Sequence, residues 1–305
     1  MPYSFCKIML KIGNAVGKRG RLRQPCTPML IFGSGSRILR GATMQFPYGI
    51  SDFQFITKNK LFYVDRTHLI PAIERAGQQL IFLRPRRFGK SLLLSMLENY
   101  YDIAKADRFE ALFGHLAIAK NLTPLHSSYV IMRWDFSLIA PTGNVEGIEK
   151  RLHAHINECI IDTSHKYIKQ LRFPVKITDD NAVASFQSLV SAINNSSLKL
   201  YLLIDEYDNF ANELMMGASK DHYAALLHGE GAVRSIFKAV KGAASGMGLE
   251  RVFITGVSPI AMSDITSAYN VASNIYLLPK FNQLCGFTEA EITDVVSKLV
   301  DQQQT

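Results

Sequence analysis

The residues Leu80-Ile81-Phe82-Leu83-Arg84-Pro85-Arg86-Arg87-Phe88-Gly89-Lys90-Ser91-Leu92-Leu93 decide the fold. Leu80–Leu83 is a short apolar run, as expected of a buried strand, and it stops at a loop from Arg84 to Phe88. A helix is expected from Gly89, because Leu92, Leu93, Met96, Leu97 and Tyr100 recur on one face. Residues 84–91 match the phosphate-loop pattern G-x-x-x-x-G-K-[ST] (Walker A) at every position except Arg84, which stands where the first glycine belongs. Glycine at 89 lets a backbone approach a phosphate closely. N–H groups at a helix start point at the anion. Lys90 would reach the β- and γ-phosphates of a nucleotide, and Ser91 would ligate Mg²⁺. The binding stretch is expected to be Arg84, Arg86, Arg87, Phe88, Gly89, Lys90, Ser91 and Leu92. The three arginines could contact phosphate or supply an arginine finger in cis. The plainer alternative for each is a solvated loop or a surface ion pair.

A phosphate loop needs a metal-holding acid on a neighbouring strand. Leu200-Tyr201-Leu202-Leu203-Ile204-Asp205-Glu206, an apolar strand ending in two acids, has the Walker B form. Asp205 would hold Mg²⁺, and Glu206 would polarise the attacking water as general base. Asp208 reads as a further ligand or, preferably, as a helix N-terminal charge. A later strand ends Ile254-Thr255-Gly256-Val257-Ser258-Pro259. Thr255 and Ser258 are both candidates for sensing the γ-phosphate or orienting the water, and the pattern does not separate them.

Outward from these motifs, strands and helices alternate. Tyr129–Phe136, Leu198–Ile204 and Arg251–Val257 read as strands, with a fifth over Asn274–Leu278. Helices are expected over 145–170, 182–194, 208–216 and 221–244. At the start of the body, Ser51 and Gln54 have capping-box spacing for a short helix, with Ile50 and Phe55 as its staple. At the far end Thr288 and Glu291 form a capping box, with Phe287 and Ile292 as staple. Such alternation implies right-handed crossovers and a mainly parallel α/β sheet with helices on both faces. Ligands on such sheets sit beyond the carboxyl ends of the strands.

The 305 residues carry a formal charge of +8, from 34 Lys+Arg against 26 Asp+Glu. Residues 1–44 hold eight basic side chains and no acidic one, so the remainder balances at 26 of each sign. The basic pI therefore does not argue for a nucleic-acid surface on the body. Residues 1–43 are expected to be a basic leader, disordered or outside the native fold. Phe5, Met9, Ile12 and Val16 share one helical face opposite Lys7, Lys11 and Lys18, which suits a mitochondrial transit peptide. A membrane-surface or nucleic-acid arm is a further alternative, and an upstream start with Met44 as functional initiator is preferred to both. The expected compartment is cytoplasmic, or mitochondrial if the leader is a transit peptide. No run of about 18 uninterrupted apolar residues predicts a membrane span. Four scattered cysteines suit neither a disulfide framework nor a zinc site. His153 and His155 face different directions on a helix and are not expected to bind metal. Trp134 is expected to fill the core, and Gly33-Ser34-Gly35 lacks the third glycine of a dinucleotide loop.

The strings Y-V-D-R-T (Tyr63–Thr67), R-P-R-R-F-G-K-S-L, L-L-I-D-E-Y-D and F-I-T-G-V-S-P occur in that order. In this the chain resembles the AAA-ATPase-like family of P-loop ATPases, over about residues 44–305. The resemblance implies an AAA-like P-loop NTPase fold, an arginine-rich phosphate loop, and an ATP and Mg²⁺ site at Gly89, Lys90, Ser91, Asp205 and Glu206. It places the ATPase core at 44–287, with 288–305 as the truncated start of a C-terminal helical segment. Members often carry a C-terminal PD-(D/E)xK nuclease domain. No D…(D/E)-x-K constellation is found here, so nuclease activity is not transferred. A truncated gene, a fragment or a split protein with a nuclease partner would each account for that. The expected function is Mg²⁺-dependent ATP binding and hydrolysis; the alternatives are a nucleotide switch with little turnover and a nucleic-acid-associated accessory ATPase, the latter motivated by family context alone. Tyr63–Thr67 reads as pocket lining or as a helix-entry turn packed on the sheet.

Overall fold

The apolar runs become five strands: β1 (Gln79–Leu83), β2 (Val130–Asp135), β3 (Leu200–Asp205), β4 (Leu249–Gly256) and β5 (Ser273–Asn274). The computed structural model describes residues 44–140, 142–209, 212, 225, 226, 231–259, 269 and 271–303. The five strands form one sheet in the order β2-β3-β4-β1-β5, with every pairing parallel. Alternation along each strand feeds two cores. Leu80, Phe82, Ile131, Tyr201, Leu203 and Phe253 face one side, and Ile81, Val130, Met132, Leu202, Val252 and Ile254 face the other. Burial on both faces is why these strands read as unbroken apolar text.

Helices cover both faces. On the first side lie α1 (Phe53–Lys58), α2 (Ile70–Ala76), α3 (Lys90–Tyr101) and α4 (Phe109–Phe113). On the second lie α5 (Val145–Lys166), α6 (Ala182–Asn195) and α7 (Ala232–Ala243). Trp134 is fully buried in the second core, edge-on to Phe186 with ring centroids 5.4 Å apart. A last helix, α8 (Glu289–Gln303), opens with the expected box. The Thr288 N–H donates to Glu291 Oε2 at 2.7 Å, and the Glu291 N–H donates to Thr288 Oγ1 at 3.3 Å.

Two local expectations change. Asp52, not Ser51, caps α1: its Oδ1 accepts the Phe55 N–H at 3.1 Å. The one-residue shift turns Phe53 and Ile56 into the core and leaves Phe55 about half exposed, so Phe55 forms no staple. The fifth strand is two residues long. After Asn274 the chain tightens into 3₁₀ turns at Ile275–Leu277 and Pro279–Phe281, with Leu277 and Leu278 largely exposed. Pro279 has no N–H for a ladder, and an exposed leucine pair gains nothing from strand pairing. The leader, the Gly33–Gly35 loop and most of the helical text over 208–230 lie outside the described residues. No helix among the described residues is long and apolar enough to cross a membrane.

Candidate functional site

The carboxyl ends of β1, β3 and β4 converge on the loop of residues 84–89, with β4 between the other two strands. Parallel register sets Leu83 beside Gly256 and Ile204 beside Ile254. The loop is hung from β4 at its start, since the Arg84 N–H donates to the Gly256 carbonyl at 3.1 Å. It turns through left-handed backbone at Arg87 (φ 66°) and Gly89 (φ 92°). A Cβ at Gly89 would meet nothing within 4 Å, so glycine is required there by conformation, not by crowding. Gly89 caps α3 without a side chain to satisfy the helix start. The N–H groups of Gly89, Lys90, Ser91 and Leu92 have no acceptor among the described residues. Uncapped first-turn donors carry the positive end of the helix dipole and form an anion seat.

Lys90 sits beneath this seat. It is buried, and its Nζ donates to the carbonyls of Arg84 at 3.0 Å and Pro85 at 3.2 Å. Burial lowers its pKa, and the carboxylates of Glu206, Asp205 and Asp208 pull it back up. Ser91 and Leu92 are half-buried in the first turn of α3, with Leu92 packed against the core.

Asp205 ends β3 with 1% of its surface exposed. Its Oδ1 accepts the Thr255 hydroxyl at 2.6 Å, and its Oδ2 accepts Arg133 Nη2 at 2.7 Å. Thr255 is fully buried on β4, so its hydroxyl fixes the plane of the Asp205 carboxylate. Glu206 follows in left-handed backbone (φ 48°), rare for a residue with a side chain. Such strain persists only when the surroundings impose it. Burial raises the Glu206 pKa, Asp205 raises it further, and Lys90 and Arg86 oppose them. A carboxyl whose pKa is raised in this way is a stronger base than an ordinary glutamate.

The two residues that follow grip the β4 loop. Asp208 is fully buried, and its carboxylate accepts the N–H of Val257 at 3.0 Å and of Ser258 at 2.6 Å. The Tyr207 hydroxyl donates to the Ser258 carbonyl at 2.6 Å. Ser258 is thereby fixed through its backbone at the strand end. Asp208 thus has a specific long-range role, which its position at a helix start does not suggest.

The three arginines part company. The Arg84 guanidinium turns away from the anion seat. It donates to the carbonyls of Leu83 at 2.9 Å, Tyr276 at 3.4 Å and Phe281 at 3.2 Å, and lies 4.6 Å from the Phe82 ring centroid. Its pKa is lowered by burial. Arg86 is exposed and donates to Asn209 Oδ1 at 2.7 Å, joining the loop to the segment after Glu206. Arg87 is exposed at the loop tip. The Phe88 carbonyl accepts the Gly286 N–H at 3.0 Å, a second tie to the C-terminal segment. Behind that tie Cys285 is buried, and burial pushes its thiol up to about 12 against the pull of Arg84, Lys90 and Arg66. A neutral thiol there is packing, not a nucleophile.

The Y-V-D-R-T string is a helix-entry clamp. Asp65 Oδ1 accepts the N–H and hydroxyl of Thr67, and its Oδ2 accepts the Ala117 N–H at 2.6 Å. Arg66 forms a fork with both Glu291 oxygens and donates to the Gly286 carbonyl at 3.1 Å, tying α8 to the body. His153 Nδ1 accepts the Ala182 N–H at 3.2 Å, and no cluster of three metal-ligating side chains occurs among the described residues. Sequence reasoning missed Arg133. Its signal was available: a charged residue inside V-I-M-R-W, a strand otherwise buried on both faces, needs a partner.

A family model described as "Predicted AAA-ATPase" matches residues 47–266. An "Uncharacterized protein in vnfD 5'region" from Azotobacter chroococcum mcd 1 is 23% identical over 259 residues, covering 82% of this chain and 44% of that protein. The chain therefore spans less than half the length of that relative. No solved structure matches. The family match takes in β1 to β4 and the residues from Arg84 to Ser258 gathered at their carboxyl ends, and by it the chain belongs to the predicted AAA-ATPase family.

Proposed function

We propose that the chain is a P-loop NTPase of AAA-like type that binds ATP with Mg²⁺ and hydrolyses it. The observation that carries this reading is the convergence of uncapped N–H groups at Gly89–Leu92, buried Lys90, buried Asp205 and strained Glu206 at the carboxyl end of one parallel sheet. The α3 N-terminus and Lys90 bind the phosphates, and Lys90 exchanges its two loop carbonyls for them. Ser91 and Asp205 would hold Mg²⁺, which supplies neutralisation of charge on the β- and γ-phosphates. Asp205 keeps lone pairs for this after serving Thr255 and Arg133, because a carboxylate offers about four acceptor sites. Glu206 takes the proton of the attacking water. Ser258, held through its backbone at the end of β4, and Arg86, bonded to Asn209, are the candidates to meet the terminal phosphate.

The test is a pair of variants. Lys90→Ala abolishes ATP binding. Glu206→Gln binds ATP but slows turnover about 10²- to 10⁴-fold, the usual contribution of a general base. Wild-type turnover in Glu206→Gln would remove the proposed base.

A second reading is a nucleotide-dependent switch with little turnover. It is favoured by the two ties from the loop to the C-terminal segment, at Arg84 and at Phe88, which offer a path from bound phosphate to α8. Phosphate release separates the readings: binding without release supports the switch.

A further inference from the structure

Asp205 is held by one neutral and one charged donor, and the charged one has somewhere else to go. Thr255 is fully buried, and its place on β4 fixes its hydroxyl at Oδ1. Arg133 reaches Oδ2 from β2, with 28% of its side chain exposed against 1% for Asp205. Its outer edge lines a polar cleft of about 280 Å³, together with Asp52, Gln54, Ser95, Glu98 and Asn99. Among the described residues Glu98 is engaged only by long contacts, from Lys105, which lines the same cleft, at 3.4 Å and from Lys166 at 3.5 Å. Its carboxylate retains capacity for a shorter, two-pronged partner. A guanidinium 2.7 Å from Asp205 repels any cation drawn to the same carboxylate. The other charges at the cleft are Asp52 and Lys105, which line it, and Lys166, which reaches Glu98; Glu206 and Asp208 couple to Lys90 on the Asp205 side.

We propose that Arg133 is a movable counter-ion: it pairs with Asp205 in the metal-free protein and shifts toward Glu98 in the cleft when a divalent cation is taken up. It thereby sets the cation concentration at which the site fills. The inference rests on the reading of Asp205 as the metal-holding acid. Arg133 acts through Asp205 and is a positioning residue, not a catalytic one.

The experiment is a titration of the full chain with Mn²⁺, followed by the electron paramagnetic resonance of the free ion, with and without ATP. Wild type is compared with Arg133→Gln, Arg133→Lys, Glu98→Gln and Asp205→Asn, each checked by thermal melting. Removing the charge in Arg133→Gln lowers the half-filling Mn²⁺ concentration about ten-fold, because a partly screened repulsion of this kind is worth at least that factor. Arg133→Lys keeps the charge but cannot form the two-pronged pair with Glu98, so its requirement does not fall below that of wild type. Glu98→Gln removes the second seat and raises the requirement. Charge removal alone would also shift the two in opposite directions, so Glu98→Gln is repeated in the Arg133→Gln background, where a movable counter-ion predicts no further rise and a further rise overturns the proposal. An unchanged or higher requirement in Arg133→Gln overturns the proposal. If Arg133→Gln melts too low to titrate, Glu98→Gln decides, and an unchanged or lower requirement overturns it. Mn²⁺ binding that Asp205→Asn leaves intact instead refutes the metal reading of Asp205 and the inference with it. Binding that Asp205→Asn removes but Arg133→Gln leaves unmoved refutes the inference alone.

Discussion

Gly256→Ala is expected to be among the most damaging single-methyl additions to this site. A Cβ at Gly256 would lie 2.4 Å from Tyr207 Cε1, 2.7 Å from Tyr207 Cδ1 and 2.6 Å from Asp208 Oδ1. Carbon atoms pack best at about 3.5–4.0 Å, so the ring must retreat by roughly 1 Å. It has little freedom to do so: Tyr207 is buried, and its hydroxyl is bonded to Ser258. Overpacking of this kind costs about 1–3 kcal/mol. Asp208 must move in the same step, loosening its bonds to Val257 and Ser258, and hydrogen bonds to a charged group are worth about 1.5–3 kcal/mol. A total near 3 kcal/mol follows, a large share of the 5–15 kcal/mol typical of a domain. Backbone strain contributes nothing, because Gly256 is not among the glycines with positive φ. Urea unfolding of Gly256→Ala, Tyr207→Leu and the double variant measures it. The smaller leucine side chain of Tyr207→Leu makes room, so the double variant is expected to be less destabilised than the sum of the singles by at least about 1 kcal/mol, as for residues in direct contact. A Gly256→Ala protein within about 0.5 kcal/mol of wild type, or strict additivity, would refute the packing argument.

Other perturbations probe other parts of the site. Gly89→Ala meets no atom within 4 Å but must adopt φ 92°, so a loss of about 1–2 kcal/mol is expected, with ATP affinity lowered as the anion seat relaxes. Equilibrium binding of a fluorescent ATP analogue beside urea unfolding reads both. The turnover rate is expected to fall on the acid side at a higher pH than an ordinary glutamate would give. Burial and then Asp205 raise the Glu206 pKa, and the base works only when ionised. A pH–rate profile whose acid limb lies at or below the ordinary value of 4.5 contradicts this. Arg66→Ala is expected to cost about 2–3 kcal/mol at neutral pH, somewhat below the 3–5 of a fully buried broken pair, since Glu291 is 25% exposed. Burial favours the neutral form of Glu291, but Arg66 and the Thr288 N–H outweigh it and lower the pKa. That stabilisation is therefore present above the ordinary carboxylate pKa and lost as pH falls through the depressed value. The gap between Arg66→Ala and wild type closes in acid, as thermal melts across that range would record.

Local text carried the fold far because both faces of the sheet are buried. Leu200–Ile204 reads as a strand since every side chain in it is buried, and α3 reads as a helix from its leucine spacing. The order of loop, helix, acidic strand end and later hydroxyl strand also picked out residues that the structure brings together at one end of the sheet. What could not be read are polar contacts between distant segments. Arg84 finds acceptors 192 and 197 residues away, and Asp208 reaches 49 and 50 residues forward. Such contacts leave no periodicity, and each residue type involved is ordinary in a loop. The misplaced cap at Ser51 has a different cause. Two adjacent residues could both cap, and only burial of Phe53 and Ile56 selects Asp52.

The run Asp205-Glu206-Tyr207-Asp208 looks like one acidic motif, but geometry divides it. Asp205 is the last strand residue, and the strand's alternation aims it at the α3 side, the side of Tyr201 and Leu203. Continuing the strand would send the next side chain to the opposite face. The left-handed turn at Glu206 breaks that alternation and leaves its carboxyl at the rim, coupled to Lys90. Reversing the chain there also delivers Tyr207 and Asp208 onto the end of β4, where close approach is allowed only because residue 256 has no side chain. The unusual backbone of Glu206 is therefore held by contacts on its far side: Tyr207 to Ser258, and Asp208 to Val257 and Ser258. These contacts offset strain of roughly 1–3 kcal/mol. It follows that Asp208→Asn, which touches no reacting atom, should lower turnover in proportion as it frees Glu206, while leaving ATP affinity at Lys90 nearly unchanged. Equal losses in affinity and turnover would mean that the β4 grip supports the whole loop, not Glu206 alone.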